Sequence, residues 1–134
     1  MAAPLFVDTS FVIALINLRD QHHAEAKQWA VELAGVPLIV TDAVLLEIGN
    51  ALARGFKGKA VEIIEHFLSA PEVEMVRVTP RLFEEAFAMY KAYLDKEWSF
   101  VDCISFKVME SNGIRQALAF DNHFRQAGFG QPVV

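Results

Sequence analysis

Four acidic residues spread along the chain stand in apolar sequence at places from which a fold could bring them together. Asp8 and Asp121 each follow a short apolar run, Glu47 lies inside an apolar helical stretch, and Asp102 lies near the start of another. Two carboxylates about 4 Å apart repel by roughly 4 kcal/mol at an effective dielectric of 20, so several ionise together only around a cation. We therefore expect these four side chains to form a metal-binding and catalytic site.

The donor types narrow the choice of ion and of reaction. A set of oxygen ligands without a Cys or His cage favours Mg²⁺, with Mn²⁺ possible, over Zn²⁺. Such an ion polarises a phosphoryl group and lowers the pKa of a bound water that can attack it. The predicted chemistry is phosphodiester hydrolysis.

Each acid taken singly also has a structural interpretation. Asp8 and Asp121 could cap the helices that follow them, and the stretch from Ser99 to Asp102 matches the Ser-x-x-acid capping box. A cap of this kind stabilises a protein by about 1 kcal/mol. Capping and metal binding thus both stay open for each acid, whereas the four together favour a metal site.

Polar neighbours of the acids are candidates for supporting roles. Thr9, Ser10 and Ser99 could hydrogen-bond within the site, with helix capping as the alternative. Asn50 stands three residues after Glu47 and so on the same face of a helix.

Basic residues are sparse, and the net charge of −5 repels nucleic acid unless a local patch or bound cations hold it. The best patch is Arg54, Lys57 and Lys59, which we consider as phosphate contacts, with a solvated loop as the alternative. His123 could touch substrate or be a lone surface histidine.

Strands that alternate with helices must position these side chains. Apolar runs predict strands over 4–7, 38–40 and 117–120, and the segment 73–78, rich in valine, predicts another. Helical spacing predicts helices after Asp8 and over 21–33, 42–55, 60–68, 80–94 and 99–113, with a short one near the end. The pattern predicts an α/β fold, a three-layer α/β/α sandwich with a parallel sheet of four to five strands. A parallel sheet would present Asp8 and Asp121 at its carboxyl edge.

The predicted helix over 80–94 has a strongly apolar face. We expect this face to be ordinary core; it consists of Leu82, Phe83, Ala86, Phe87, Tyr90 and Leu94.

The chain length of 134 residues predicts one domain, 1–134. The longest apolar stretch, Phe11 to Ile16, is too short to cross a bilayer, and no signal-peptide pattern develops, so we expect a cytoplasmic protein without membrane contact. Cys103, the single cysteine, stands in an apolar run and is expected to be a small buried hydrophobe.

Four blocks of sequence, in this order, resemble the PIN domain, particularly the toxin ribonucleases of the VapC type. The blocks are 6–10 (FVDTS), 41–52 (TDAVLLEIGNAL), 98–106 (WSFVDCISF) and 117–124 (ALAFDNHF). Any one block is weak, but all four together are specific and span nearly the whole chain.

The resemblance implies that Asp8, Glu47 and Asp102 are the first three acids of the family site and Asp121 its more variable fourth, with Asp8 and Asp102 as principal metal ligands. It also implies an RNA substrate, cleavage that leaves a 5′-phosphate, homodimerisation, and inhibition by a cognate antitoxin that inserts into the acidic groove. Ala119 departs from the family pattern, because many relatives carry Ser or Thr there, and this puts the role of Asp121 in doubt.

Two other functions stay open. An aspartate-dependent phosphatase or phosphotransfer domain also places an aspartate after strand one, but Ser10 stands where a haloacid-dehalogenase-like enzyme would carry a second Asp. A catalytically silent PIN-like scaffold that binds RNA or protein is the non-enzymatic alternative, and the presence of all four acids argues against it.

Overall fold

A four-stranded parallel sheet forms the middle layer of the protein. The computed structural model describes residues 3–133. The strands lie in the order β3-β2-β1-β4, and every pairing is parallel. They are β1 (Leu5–Val7), β2 (Leu38–Thr41), β3 (Val73–Val76) and β4 (Ala117–Leu118). The predicted parallel sheet is confirmed, with four strands; Gln116 and Gly130 add one isolated bridge.

Within residues 3–133, seven helices connect and cover the strands, so the architecture is the predicted α/β/α sandwich. α5 packs chiefly against α6, while α1 packs against α2 and α3. The helices are α1 (Thr9–Ile16), α2 (His23–Glu32), α3 (Asp42–Ala51), α4 (Lys57–Ser69), α5 (Pro80–Ala92), α6 (Phe100–Ser111) and α7 (His123–Gln126).

Two strands end earlier than their apolar runs predict. The backbone N–H of Val78 donates to the Asp42 side chain at 3.0 Å, and that of Phe120 donates to Ser10 Oγ at 3.0 Å. Side chains therefore take the hydrogen bonds that a further strand residue would have used, and the chain leaves the sheet.

Side-chain caps set where several helices begin. Thr41 accepts from the backbone N–H of Val44, and Thr79 accepts from that of Leu82 with Pro80 in the first turn. Each cap satisfies a backbone donor that has no partner inside its helix. The helices after β2 and β3 therefore start at defined residues close to the carboxyl ends of those strands.

The two central strands form the most deeply buried part of the core. Phe6, Val7, Ile39 and Val40 have essentially no exposed surface. Burial on both faces is what a parallel sheet between two helical layers requires. Replacing Phe6 with Ala would cost about 3–5 kcal/mol in unfolding free energy.

The strand order places a crevice at the carboxyl edge of the sheet. After β1 the chain adds β2 and β3 on one side, and it later returns to place β4 on the other side of β1. In open α/β sheets, ligands bind at such a switch in strand order. The residues that follow β1 and β4 are therefore brought to the predicted site.

The apolar face of α5 is not ordinary core, and that prediction was wrong. Of its residues only Ala86 is fully buried, whereas Phe83, Phe87 and Tyr90 are 51%, 41% and 43% exposed. The three rings pack around Phe100 of α6 with centroid distances of 4.9–5.7 Å. Among the described residues α5 packs chiefly against α6, and this packing leaves the three rings about half exposed.

Cys103 is buried, as predicted, and burial raises the pKa of its thiol to about 11. Between residues 3 and 133 no helix combines the length and the apolar character needed to cross a membrane.

Candidate metal centre

Asp8 leaves the end of β1 and caps α1. Its Oδ2 accepts from the backbone N–H of Ser10 at 3.1 Å and from Ser10 Oγ at 2.6 Å. The residue is 3% exposed. Within the described chain no hydrogen bond reaches Oδ1, so one oxygen serves the cap and the other is free to bind a ligand.

Asp102, in the first turn of α6, also uses one carboxylate oxygen for a helix cap and leaves the other without a described donor. Its Oδ2 accepts from the backbone N–H of Ser99 at 3.0 Å, and Ser99 Oγ accepts in return from the Asp102 backbone N–H at 2.9 Å. This is the predicted capping box. The same Oδ2 accepts a second bond, from Nδ1 of His123 at 2.7 Å, and among described residues Oδ1 has no donor.

Glu47 reaches the site from α3. Its Oε1 accepts from Thr9 Oγ1 at 2.7 Å, and the residue is half-buried. Thr9 stands directly after Asp8, so this bond ties the second acid to the first across two elements.

Asp121 follows β4 and is half-buried. Its Oδ1 accepts from the backbone N–H of His123 at 3.1 Å. Ala119, the position that departs from the family pattern, is buried beside it at a small cavity of about 90 Å³. The backbone of His123 therefore orients Asp121, where the resemblance led us to look for a hydroxyl at position 119.

The four acids line one cleft of about 640 Å³. Ligand atoms of Asp102, Asp121 and His123 lie within 4.8 Å of one another. The structure therefore brings the four predicted acids to one cleft. For Asp8 and Asp102, capping is compatible with a place in the cleft. The suggested cap role of Asp121 was wrong, because the N-cap of α7 is Asn122. The predicted supporting residues also line the cleft; they are Thr9, Ser10, Asn50 and Ser99.

The cleft is short of positive charge. Burial, and then the charge of Asp121, raises the pKa of Asp8 to about 7. Burial and the charge of Asp102 raise the pKa of Asp121, and burial is also the main cause that raises the pKa of Glu47. Of the described residues that line the cleft, none is a lysine or an arginine. A cation would relieve this repulsion.

The donor set fits a divalent, oxygen-preferring ion. Asp8, Asp102 and Glu47 each offer an oxygen that no described group engages, and each is held in place through its other oxygen. Carboxylates without thiolates match the preference of Mg²⁺ or Mn²⁺. The residues present thus suit a bound divalent cation.

The predicted basic patch lies outside this cleft. Arg54, Lys57 and Lys59 are all exposed. Lys59 lines a different cavity and lies 4.0 Å from Glu62. The structure therefore does not bring the three cations to the acids, and their role as phosphate contacts stays a prediction.

Of the two interpretations that the sequence left open for His123, the structure excludes the lone surface histidine, and substrate contact stays a prediction. His123 is half-buried, lines the cleft and donates to Asp102, so it is not a lone surface histidine. The partners are 21 residues apart and lie on different helices. The one sequence signal was its position two residues after Asp121.

Comparison with known proteins places these features in a family context. The family model described as PIN domain matches residues 5–130. The 23S rRNA-specific endonuclease VapC20 of Mycobacterium tuberculosis is 38% identical over 127 residues, which cover 93% of this chain and 95% of the relative. A VapC ribonuclease from Aquifex aeolicus is 25% identical over 126 residues, 92% of this chain and 91% of the relative.

A solved structure of a relative has the same fold as this chain. The crystal structure of Mycobacterium tuberculosis VapC20, described as a sarcin-ricin-loop-cleaving toxin, superimposes with a TM-score of 0.84 at 35% identity. The match covers 93% of this chain and 95% of that one. The similarity thus extends over the sheet, the helices and the segments that carry all four acids.

Proposed function

Since the chain belongs to the PIN-domain family, we propose that it is a divalent-metal-dependent endoribonuclease and the toxin of a toxin-antitoxin pair. The observation that carries the proposal is the meeting of four carboxylates in one cleft that no described lysine or arginine lines. Relatives named as endonuclease and ribonuclease match over more than nine-tenths of the chain.

Asp8 and Asp102 are the principal ligands in this proposal, and Glu47 and Asp121 complete the catalytic set. Bound Mg²⁺ or Mn²⁺ would polarise the phosphoryl group and lower the pKa of an attacking water. The chain itself orients the ligands: Ser10 and Thr9 hold Asp8 and Glu47 through hydrogen bonds of 2.6 and 2.7 Å. Pre-oriented carboxylates bind without the cost of being ordered at the moment of reaction.

RNA cleavage by purified protein tests the activity. We expect cleavage with Mg²⁺ or Mn²⁺ that leaves a 5′-phosphate, and loss of cleavage with EDTA or in Asp8→Asn and Asp102→Asn. Asp95→Asn is the matched control, because this carboxylate is exposed, pairs with its neighbour Lys96 and does not line the cleft. Cleavage that survives both site substitutions would remove the proposed mechanism.

We further propose ribosomal RNA as the substrate class, because the relative named as 23S rRNA-specific is 38% identical to this chain. Action on the ribosome would place the protein in the cytoplasm. Primer extension across rRNA after incubation with the enzyme should show one strong stop, and tRNA should stay intact. Equal cleavage of tRNA would contradict this substrate assignment and leave the nuclease activity standing.

We propose a homodimer that forms through the exposed aromatic face of α5. The aromatic face is defined here as Phe83, Phe87 and Tyr90 of α5, together with Tyr93 and Leu94, which are exposed directly after the helix ends. Half-exposed rings contribute on the order of 100 Å² each, so the patch approaches the 300–600 Å² that marks interaction surfaces. A second copy would supply a matching aromatic surface around a two-fold axis.

A cognate antitoxin that inserts into the acidic cleft is the proposed inhibitor. Charge complementarity requires that the inserted segment be basic, because the cleft is lined by four acids. Inhibition should therefore weaken when arginines or lysines of that segment are replaced, as measured by cleavage in the presence of the antitoxin.

Neither alternative function gains support from the site. In the described chain no lysine lines the cleft to assist phosphoryl transfer to Asp8. A silent scaffold would have no need of several acids whose pKa values are raised first by burial and then by the charge of a neighbouring acid. A phosphoryl group trapped on Asp8 would revive the phosphotransfer alternative.

A further inference from the structure

We propose that His123 is a positioning residue that raises the affinity of the cleft for its metal ion by holding Asp102 and Asp121 in fixed orientations. The inference rests on the proposed metal site and adds to it a residue that is not an acid.

His123 contacts two acids that come from different parts of the fold. Its ring Nδ1 donates to Asp102 Oδ2 at 2.7 Å, and its backbone N–H donates to Asp121 Oδ1 at 3.1 Å. Asp102 belongs to α6, whereas Asp121 follows β4. One residue at the start of α7 therefore sets the relative placement of two carboxylates.

The ring hydrogen bond decides which oxygen of Asp102 is available. Oδ2 receives two donors, the Ser99 backbone N–H and His123 Nδ1. Both bonds engage the same oxygen, so Oδ1 remains for the ion and the carboxylate resists rotation. Without the ring, the Ser99 backbone alone would hold the side chain.

Partners that orient metal ligands in this way change metal affinity or activity by about 10- to 100-fold when they are removed. Direct ligation by His123 is the competing role, because its ring lies among the candidate ligand atoms. An oxygen-preferring ion has little need of an imidazole when four carboxylates are present. The donor preference of the ion, together with the engagement of Nδ1 by Asp102, therefore favours an outer-sphere role.

The test is Mn²⁺ binding to RNA-free protein by calorimetric titration at neutral pH. His123→Ala should weaken binding about 10- to 100-fold. His123→Asn should lose less than about threefold, because Asn Nδ2 occupies the same position on Cγ as His Nδ1 and donates in the same way. His66→Ala, in an exposed histidine of α4, is the control and should bind like the wild type.

A second variant protects the test against misfolding. The His123→Gln variant carries its amide one bond farther from the backbone, so its affinity for Mn²⁺ should resemble that of the Ala variant. It replaces the Ala variant in the comparison if that variant does not fold. Thermal unfolding of each metal-free variant reports whether it is folded. If the His123→Asn variant bound Mn²⁺ as weakly as the Ala or Gln variant, the proposed role of the hydrogen bond would be overturned.

Spectroscopy separates the outer-sphere role from ligation. Electron spin-echo modulation of bound Mn²⁺ should show no coupling to a directly bound imidazole nitrogen, and such coupling would overturn the positioning role. A wild-type protein that binds no Mn²⁺ would overturn the proposed function as well. Binding that is equal in the wild type and the folded variants would overturn this inference alone.

Discussion

The acidic cleft and the aromatic face of α5 meet at residues 99 and 100 and differ in how their parts are held. Ser99 lines the cleft and exchanges two hydrogen bonds with Asp102. Phe100, the next residue, is the ring around which Phe83, Phe87 and Tyr90 pack. Directional bonds define the cleft, whereas the aromatic face depends on undirected apolar contact.

The difference teaches what each surface lacks in the isolated chain. Among the described residues that line the cleft there are four acids and no lysine or arginine, which favours a bound cation. The aromatic face exposes apolar rings, which favours a covering partner. The proposed functions assign a metal ion to the cleft and a second copy of the chain to the aromatic face. Each proposal can be tested by substitutions in one surface that leave the other surface unchanged.

The largest effect is expected for a substitution of Asp8, which should change the cleavage rate and the unfolding free energy in opposite directions. Asp8→Asn should lower the cleavage rate about 1,000-fold, because several kcal/mol of metal-borne stabilisation is lost. The same change should raise the unfolding free energy of the metal-free protein by about 1 kcal/mol, because it removes a buried like charge. Cleavage kinetics and urea unfolding with EDTA measure the two effects. A less stable Asn variant would mean that the charge of Asp8 does not destabilise the metal-free fold, because Asn caps a helix as well as Asp does.

A charge placed in the aromatic face should act on association. Phe87→Glu should weaken the dimer at least about 30-fold, which corresponds to about 2 kcal/mol at an interface hot spot. Sedimentation equilibrium measures the change. Leu18→Glu, at an exposed leucine outside this face, is the control. If neither substitution alters the association state, the aromatic face is not the dimer interface.

Metal binding and pH should be coupled through the raised pKa values. The pKa of Asp8 rises from 3.8 in its ordinary state to about 7 in the folded protein, so the folded state binds more protons between these values. Metal-free stability should therefore be highest below the lower value and fall as pH rises toward 7.

Mn²⁺ should reverse that loss. At ten times its dissociation constant the ion adds about 1.4 kcal/mol, and the gain should shrink at acidic pH because protons compete for the ligands. Thermal unfolding at acidic and at slightly alkaline pH, with and without Mn²⁺, measures this. An equal gain at both pH values would contradict binding through these carboxylates.

The smallest effect is expected at the basic patch of Arg54, Lys57 and Lys59, which belongs to neither surface and in which the two lysines lie in the first turn of α4. Alanine at any one of the three should raise KM only about two- to fivefold and should reduce its dependence on salt, as expected for exposed phosphate contacts. Lys96→Ala is the matched control. A fall in kcat instead would show that the patch takes part in the cleft.

Much of the cleft could be predicted because its members stand at marked places in the sequence. Asp8 and Asp121 follow apolar strands, and the stretch from Ser99 to Asp102 is a capping box that the structure confirms. Strand ends and caps are local features, and a parallel sheet brings its strand ends to one edge. Local pattern and topology together therefore pointed to the same cleft.

The aromatic face shows where local pattern fails. Helical periodicity correctly placed Phe83, Phe87 and Tyr90 on one side of α5. Helical periodicity carries no information on which element packs against that side. The sequence of an apolar stripe is the same whether a neighbouring element covers the stripe or leaves it exposed. Only the packing of α5 against α6 revealed that the rings remain exposed.

The amino-acid sequence alone determined the α/β alternation, the helix caps and the four acids, because each depends on residues near one another in the chain. Tertiary structure decided the rest. It brought His123 to Asp102 across 21 residues and left Arg54, Lys57 and Lys59 outside the cleft. It also ended β4 at Leu118, because the backbone N–H of Phe120 donates to Ser10 instead of continuing the strand. These outcomes depend on distances between separate elements, which no local spacing encodes.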